Sequence, residues 1–128
     1  MSYYFAKTLD VPAAEAEERV REALAQEGFG VLTEIDVQAT LRKKLDVDFR
    51  PYKILGACHP PSAFAALQAE DKIGLMLPCN VVVQELPSGE VEVAAIDPLA
   101  SMAAVDNPSL AATAEEVRRK LQEVIESL

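Results

Sequence analysis

The chain has 128 residues, half of them hydrophobic, and its 12 basic against 21 acidic side chains give a formal net charge of −9. That length makes one domain, residues 1–128, able to bury roughly two thirds of the surface its unfolded form exposes, so folding requires neither disulfides nor a structural metal. The acidic balance argues against a general nucleic-acid binder or an anionic-membrane binder, because both draw affinity from many Lys and Arg facing phosphates.

Tyr3–Leu9 alternates as a half-buried strand, with Tyr3, Phe5 and Leu9 on one face and Tyr4, Ala6 and Thr8 on the other. A first helix follows, with Pro12 in its first turn, the stripe Ala13, Ala16, Val20, Ala23 and Leu24, and Gly28 placed to end it in a left-handed cap. Val31–Ile35 is the second strand, with Phe29, Val31, Thr33 and Ile35, or the complementary set, on its buried face; a short basic helix spans Gln38 to Leu45. A third strand centred on Ile54–Ala57 stops at His59-Pro60-Pro61, where two residues that cannot donate to a ladder predict a turn. Ser62 then caps a short helix holding Phe64 and Leu67, and Leu75 to Cys79, broken by Pro78, reads as an extended approach to the next strand. Val81–Leu86 and Val91–Ile96 form a hairpin about Pro87-Ser88-Gly89. Leu99 to Asp106 is left open between loop and helical lead-in. The long C-terminal helix starts from Asn107-Pro108, with Thr113 and Glu116 as a capping box and Leu110, Ala114, Val117, Leu121, Val124 and Leu128 as its stripe. This order predicts an α+β fold: an antiparallel or mixed sheet of about five strands covered on one face by the first and last helices. A doubly wound parallel sheet would need a regular helix after each strand.

The segments Tyr52-Lys53-Ile54-Leu55-Gly56-Ala57-Cys58-His59-Pro60 and Pro78-Cys79-Asn80-Val81-Val82-Val83 resemble the signature of the family catalogued as domain of unknown function 302. The likeness extends in outline from the Tyr-rich first strand to the last helix. It implies a TATA-binding-protein-like α+β fold, an antiparallel sheet backed by two helices, and it brings no established activity with it.

No signal-peptide pattern or long apolar run is present, so a soluble cytoplasmic protein with reduced thiols is expected. Neither GxGxxG nor the Walker spacing occurs, and His59 is the only histidine, which excludes HExxH. What remains is a soft-ligand set: Cys58, Cys79, His59, Met76 and Met102. Cys58 and Cys79 stand 21 positions apart, each where a strand meets a proline-bounded loop, and are expected side by side, close enough to share a soft ion such as Cu(I), or Zn(II), with His59, or to form a disulfide on oxidation. The alternative is two core thiols. Cys58, His59, Cys79 and Asn80 are the candidate ligand-binding residues of a small-molecule or metal site. A thiol enzyme would instead use Cys79 as nucleophile, His59 as base and Asp97 as orienter, since Cys58 and its strand neighbour His59 point to opposite faces. A third reading is an interaction domain without pocket chemistry. Between Gln38 and Lys53, Arg42, Lys43, Lys44, Arg50 and Lys53 outnumber Asp46 and Asp48, a positive run suited to an anionic molecule or an acidic partner, or to a solvated helix face. Val124, Ile125 and Leu128 exceed what one helix stripe needs, and with exposed sheet edges they lead to an expected homodimer.

Overall fold

The computed structural model describes residues 2–128, and its frame is a five-stranded, wholly antiparallel sheet in the order β1-β5-β4-β3-β2. The strands are β1 (Tyr4–Leu9), β2 (Gly30–Asp36), β3 (Tyr52–Cys58), β4 (Cys79–Glu85) and β5 (Val91–Ile96). Between and after them run α1 (Ala13–Gln26), α2 (Val37–Leu45), α3 (Pro60–Ala69), the single turn α4 (Pro98–Ser101) and α5 (Ala111–Glu126). The α+β sheet-and-helix fold read from periodicity is the fold observed. No helix is long and apolar enough to cross a membrane among the described residues.

Alternation decides which strand residues meet the helices. Leu55, Ala57, Val81, Val83, Val91, Val93 and Ala95 face α1 and α5 and form one buried core with Ala16, Val20, Leu24, Val117 and Leu121. The helix-one stripe is buried as its spacing requires, and Gly28, at φ +84, carries the chain out of α1 while Phe29 N–H donates back to the Leu24 carbonyl. On α5 both Val124 and Ile125 are buried, 1% and 4% exposed, and Leu128 packs against the same core. The surplus behind the expected helix-mediated dimer is therefore consumed inside one chain: α5 touches α1, α3, α4, β1 and β5, so it hides a wider arc than a single stripe.

Four local readings need correction. Pro60 and Pro61 do not make a turn; they occupy the first positions of α3, where the missing N–H groups would have had no helical partner. Ser62 accordingly lies inside that helix, buried, with His59 at the cap position, and Phe64 and Leu67 are 64% and 45% exposed instead of anchoring it. The 3-10 helix Asp71–Met76 takes in Leu75 and Met76, the first two residues of the expected extended approach. Thr113 lies within α5: Asn107 caps a 3-10 turn, Pro108–Leu110, that runs straight into it. Alternation in β2 also breaks, because the register shifts between Val31 and Thr33. That irregularity puts Val31 toward the core and Ile35 on the opposite face, so neither simple set holds throughout. Gly56 is obligatory beside it. A Cβ there would lie 2.1 Å from Thr33 Oγ1 and 2.7 Å from the Pro78 ring.

Candidate functional site

The end of the sheet where β3 stops and β4 starts is held open by α3. Ala57 stands directly across from Cys79 in the β3–β4 register, so Cys58 is one residue further along the neighbouring strand. The two Cα atoms are then about 6 Å apart, given strands about 4.8 Å apart and a rise of about 3.3 Å per residue. Both cysteines are free thiols, Cys79 buried and Cys58 half-buried. After Cys58 the chain passes through His59 into α3, and the start of α5 closes the far side. Between them is a cavity of about 280 Å³ whose walls include Cys58, His59, Cys79, Ala63, Ala66, Leu67, Met102, Thr113 and Val117. Three of the four candidate ligand-binding residues share this cavity, and Met102 joins them.

His59 and Cys79 are the polar groups whose surroundings are most closely set. The His59 Nδ1 lies 2.7 Å from Ser62 Oγ, one turn into α3, and its ring tilts against Phe29 at 5.5 Å between centroids. Gly28 makes room for that ring, since a Cβ there would come within 3.2 Å of it. Burial, reinforced by the neighbouring Cys58, pushes the Cys79 thiol up to about 11. Cys79 is therefore a protonated, apolar-walled thiol near neutral pH, poorly suited to nucleophilic attack. The relay Cys79–His59–Asp97 is not assembled: His59 meets Ser62, while Asp97 accepts the Leu99 N–H at 3.0 Å and Arg118 Nε at 3.2 Å. Among the described residues no group of three or more His, Cys, Asp or Glu side chains is arranged to hold a metal ion. Met76 packs into a satellite cluster with Ala66, Ile73 and Leu110.

Asn80 goes elsewhere. Adjacent to Cys79 on β4, it is exposed on the opposite face of the sheet, where a shallow hollow of about 340 Å³ takes in Tyr4, Tyr52, Val82 and Ala94. Two of the five bases in the basic run, Arg42 and Lys53, pair with carboxylates in the fold. Arg42 pairs with Asp46 and Asp48, and Arg50 donates to Gln84 while lying over Phe49 and Tyr52. Lys53 turns toward α1 and binds Glu17 at 2.9 Å and Glu34 at 3.1 Å, which raises its pKa above the ordinary lysine value. Glu17 is pushed up by burial, yet hydrogen bonds from Lys53 and Arg21 outweigh that and hold it below the usual glutamate value.

Sequence reasoning did not foresee the α3 wall, Ala63, Ala66 and Leu67. A signal was present, since positions 63–67 are apolar on every side and a helix with no polar face needs more than one apolar neighbour or leaves part of itself exposed. Ala66 enters the core side, and Phe64 is the part left exposed.

Comparison with known proteins follows the same architecture. The family described as domain of unknown function DUF302 matches over residues 5–128. No curated protein matches the chain. Among solved structures it is similar to the crystal structure of an uncharacterized conserved protein DUF302 from Bacillus stearothermophilus, with a TM-score of 0.91, 28% identity and coverage of 98% of each chain.

Proposed function

The chain belongs to the DUF302 family, and from that premise we propose that its cavity at the β3–β4 end of the sheet binds one small, largely apolar organic molecule. The observation that carries the reading is that Cys58, His59 and Cys79 line a single cavity of about 280 Å³ whose other walls are mostly alanine, leucine, methionine and valine. That volume stands at the small end of ligand cavities, which run from about 300 to 1,000 Å³. An apolar hole of this kind gains little from water and much from a fitting hydrocarbon surface. The few polar groups, Cys58, the protonated Cys79, His59 with its partner Ser62, and Thr113, orient a ligand carrying one hydroxyl, carbonyl or amine. A small aromatic of one or two rings or a short-chain alcohol meets these requirements. A soft ion meets them less well, because Cys58, Cys79 and His59 are not arranged as three ligands and Cys79 would first have to lose its proton against its burial.

Calorimetric titration with indole and with 1-hexanol tests this. Saturable binding of one molecule per chain is expected, lost in Ala63→Trp, or in Ala63→Leu if the larger side chain prevents folding, and retained in Phe64→Ser on the exposed side of the same helix. Absence of saturation at millimolar probe would overturn the reading. So would stoichiometric Zn(II) or Cu(I) uptake that disappears in Cys58→Ala and Cys79→Ala, which would assign the cavity to a metal.

A further inference from the structure

We propose that the bare face of the sheet joins a second copy of this chain, sheet against sheet, about a two-fold axis that runs along β4 through Val82. The register sets the face out in rows. Its middle row crosses all five strands as Ile35, Ile54, Val82, Ala94 and Ala6, each directly opposite the next, and no polar side chain interrupts it. Ile35 is 48% exposed and Ala6 is exposed, so no helix of the chain covers the ends of this row. On a chain of net charge −9, the rows on either side carry Tyr4, Thr33, Asn80, Tyr52, Gln84 and Thr8, with Glu92 the one ionised group in the strand rows and Arg50 just before β3 at their margin. Charge depletion with tyrosine enrichment is the composition of an interface core. Two copies repel one another through most of their acidic surface and least through this face. The strand rows of this face carry no lysine or arginine to meet phosphates, which disfavours nucleic acid as the occupant.

The order of sizes along the row selects a second copy over an unrelated partner. Large side chains stand on the β2–β3 side of Val82 and alanines on the β5–β1 side. A two-fold axis along β4 lays Ile35 on Ala6, Ile54 on Ala94 and Val82 on Val82, so that large meets small at each position away from the axis. An axis across the strands would instead set isoleucine on isoleucine and alanine on alanine, leaving a clash beside a void. The same axis treats the charges consistently. Arg50 Nε donates to Gln84 at 2.8 Å, and Gln84 donates to Glu92 at 3.2 Å, a relay across β4 with a cation at one end and a carboxylate at the other. Rotation about β4 brings Arg50 over Glu92 of the second copy, twice per dimer. Five strands about 4.8 Å apart and about 20 Å long span on the order of 500 Å² in projection. With side-chain relief that approaches the roughly 600–800 Å² per partner of small to standard specific interfaces.

Sedimentation velocity at about 50 μM protein tests the proposal, with far-ultraviolet dichroism to verify folding. Wild type is expected at twice the chain mass. Val82→Asp, which sets two carboxylates together at the axis, should weaken association by roughly 100-fold or more; Gln84→Lys, also on the axis and favourable toward Glu92 within its own chain, serves if Val82→Asp fails to fold. Glu92→Arg should dissociate the dimer, and adding Arg50→Glu should restore it. A monomeric wild type overturns the proposal, as does a dimer indifferent to both axis variants, which would place the contact elsewhere, for example at Phe64 and Leu67 of α3. The cavity described above lies on the helix side of the sheet, so indole binding is unaffected by either axis variant and the two readings fail separately.

Discussion

The two faces of the sheet are built from similar residues and sit in different surroundings. Toward α1 and α5, Val81, Val83, Val91, Val93 and Ala95 are at most 4% exposed, whereas the residues between them in the chain, Val82, Glu92 and Ala94, are half-buried on the face turned away from α1 and α5. Strand alternation alone divides them, so neighbours of almost the same chemistry do different work: the covered face holds the fold and, at its β3–β4 end, the thiol-walled cavity, and the bare face holds little within one chain. Cys79 and Asn80 show this most plainly. One is buried in the cavity wall, and the next residue lies in the open hollow opposite. The two proposed sites therefore need not compete for residues, because each strand supplies both faces by turns.

The largest expected effect separates the faces with one pair of substitutions. Val81→Ala removes two methyl groups from a site with no exposure and should cost about 2 kcal/mol, from lost transfer energy and an incompletely collapsed void. Val82→Ala should cost less than about 1 kcal/mol in monomer stability, while weakening association if the bare face joins two copies. Urea denaturation at low and high protein concentration reads both. Equal costs for the two valines would break the comparison.

A pH series sharpens it for the covered face. The Cys79 thiol is pushed up to about 11 in the fold by burial, so the folded chain keeps its proton over a range where the unfolded chain has already lost it. Its contribution is complete below the unfolded value, near pH 8.5–9, and is lost as pH rises through the folded one; the decline should be on the order of 2 kcal/mol between pH 9 and pH 11. Cys79→Ala should abolish that slope. Lys53 is no rival source in the lower part of the window, because its own pKa is raised and its contribution lasts to higher pH. An identical slope in wild type and Cys79→Ala would mean that Cys79 is not its source and that its thiol is not held protonated by burial.

Much of this was legible in the residue pattern, for reasons that also mark where it was not. Strands β1, β4 and β5 and helix α1 obey their periods because each has one covered face and one open face. Cys58 and Cys79 were expected to be neighbours because both stand at strand ends, and the Ala57–Cys79 register places them so. Asn80 was grouped with them although strand alternation already assigns it to the other face. The β2 pattern failed because an irregular register adds a residue that leaves no mark in composition, and Gly56, pressed between Thr33 and Pro78, is its visible trace. The paired prolines were read as a stop, yet the same lack of N–H groups suits a helix start, and only the path of the chain chooses between them. Ile125 misled because the number of elements around α5 is a tertiary fact. A pocket near Cys58 and Cys79 is expected from the sequence, but its helical walls are not, since they are set by how α3 and the start of α5 pack.

The most direct test of that cavity as the ligand site is methyl nuclear magnetic resonance during an indole titration. Met102 lines the cavity where it meets the satellite cluster, Met76 packs against that cluster without lining the cavity, and Ala94 lies on the bare face, so the three methyl groups distinguish the cavity, its back wall and the opposite face. The expected result is a saturable shift of the Met102 methyl, with that of Ala94 unmoved and that of Met76 moving less. Saturable movement of Ala94 with Met102 unchanged would put the ligand in the open hollow on the other face and contradict the account.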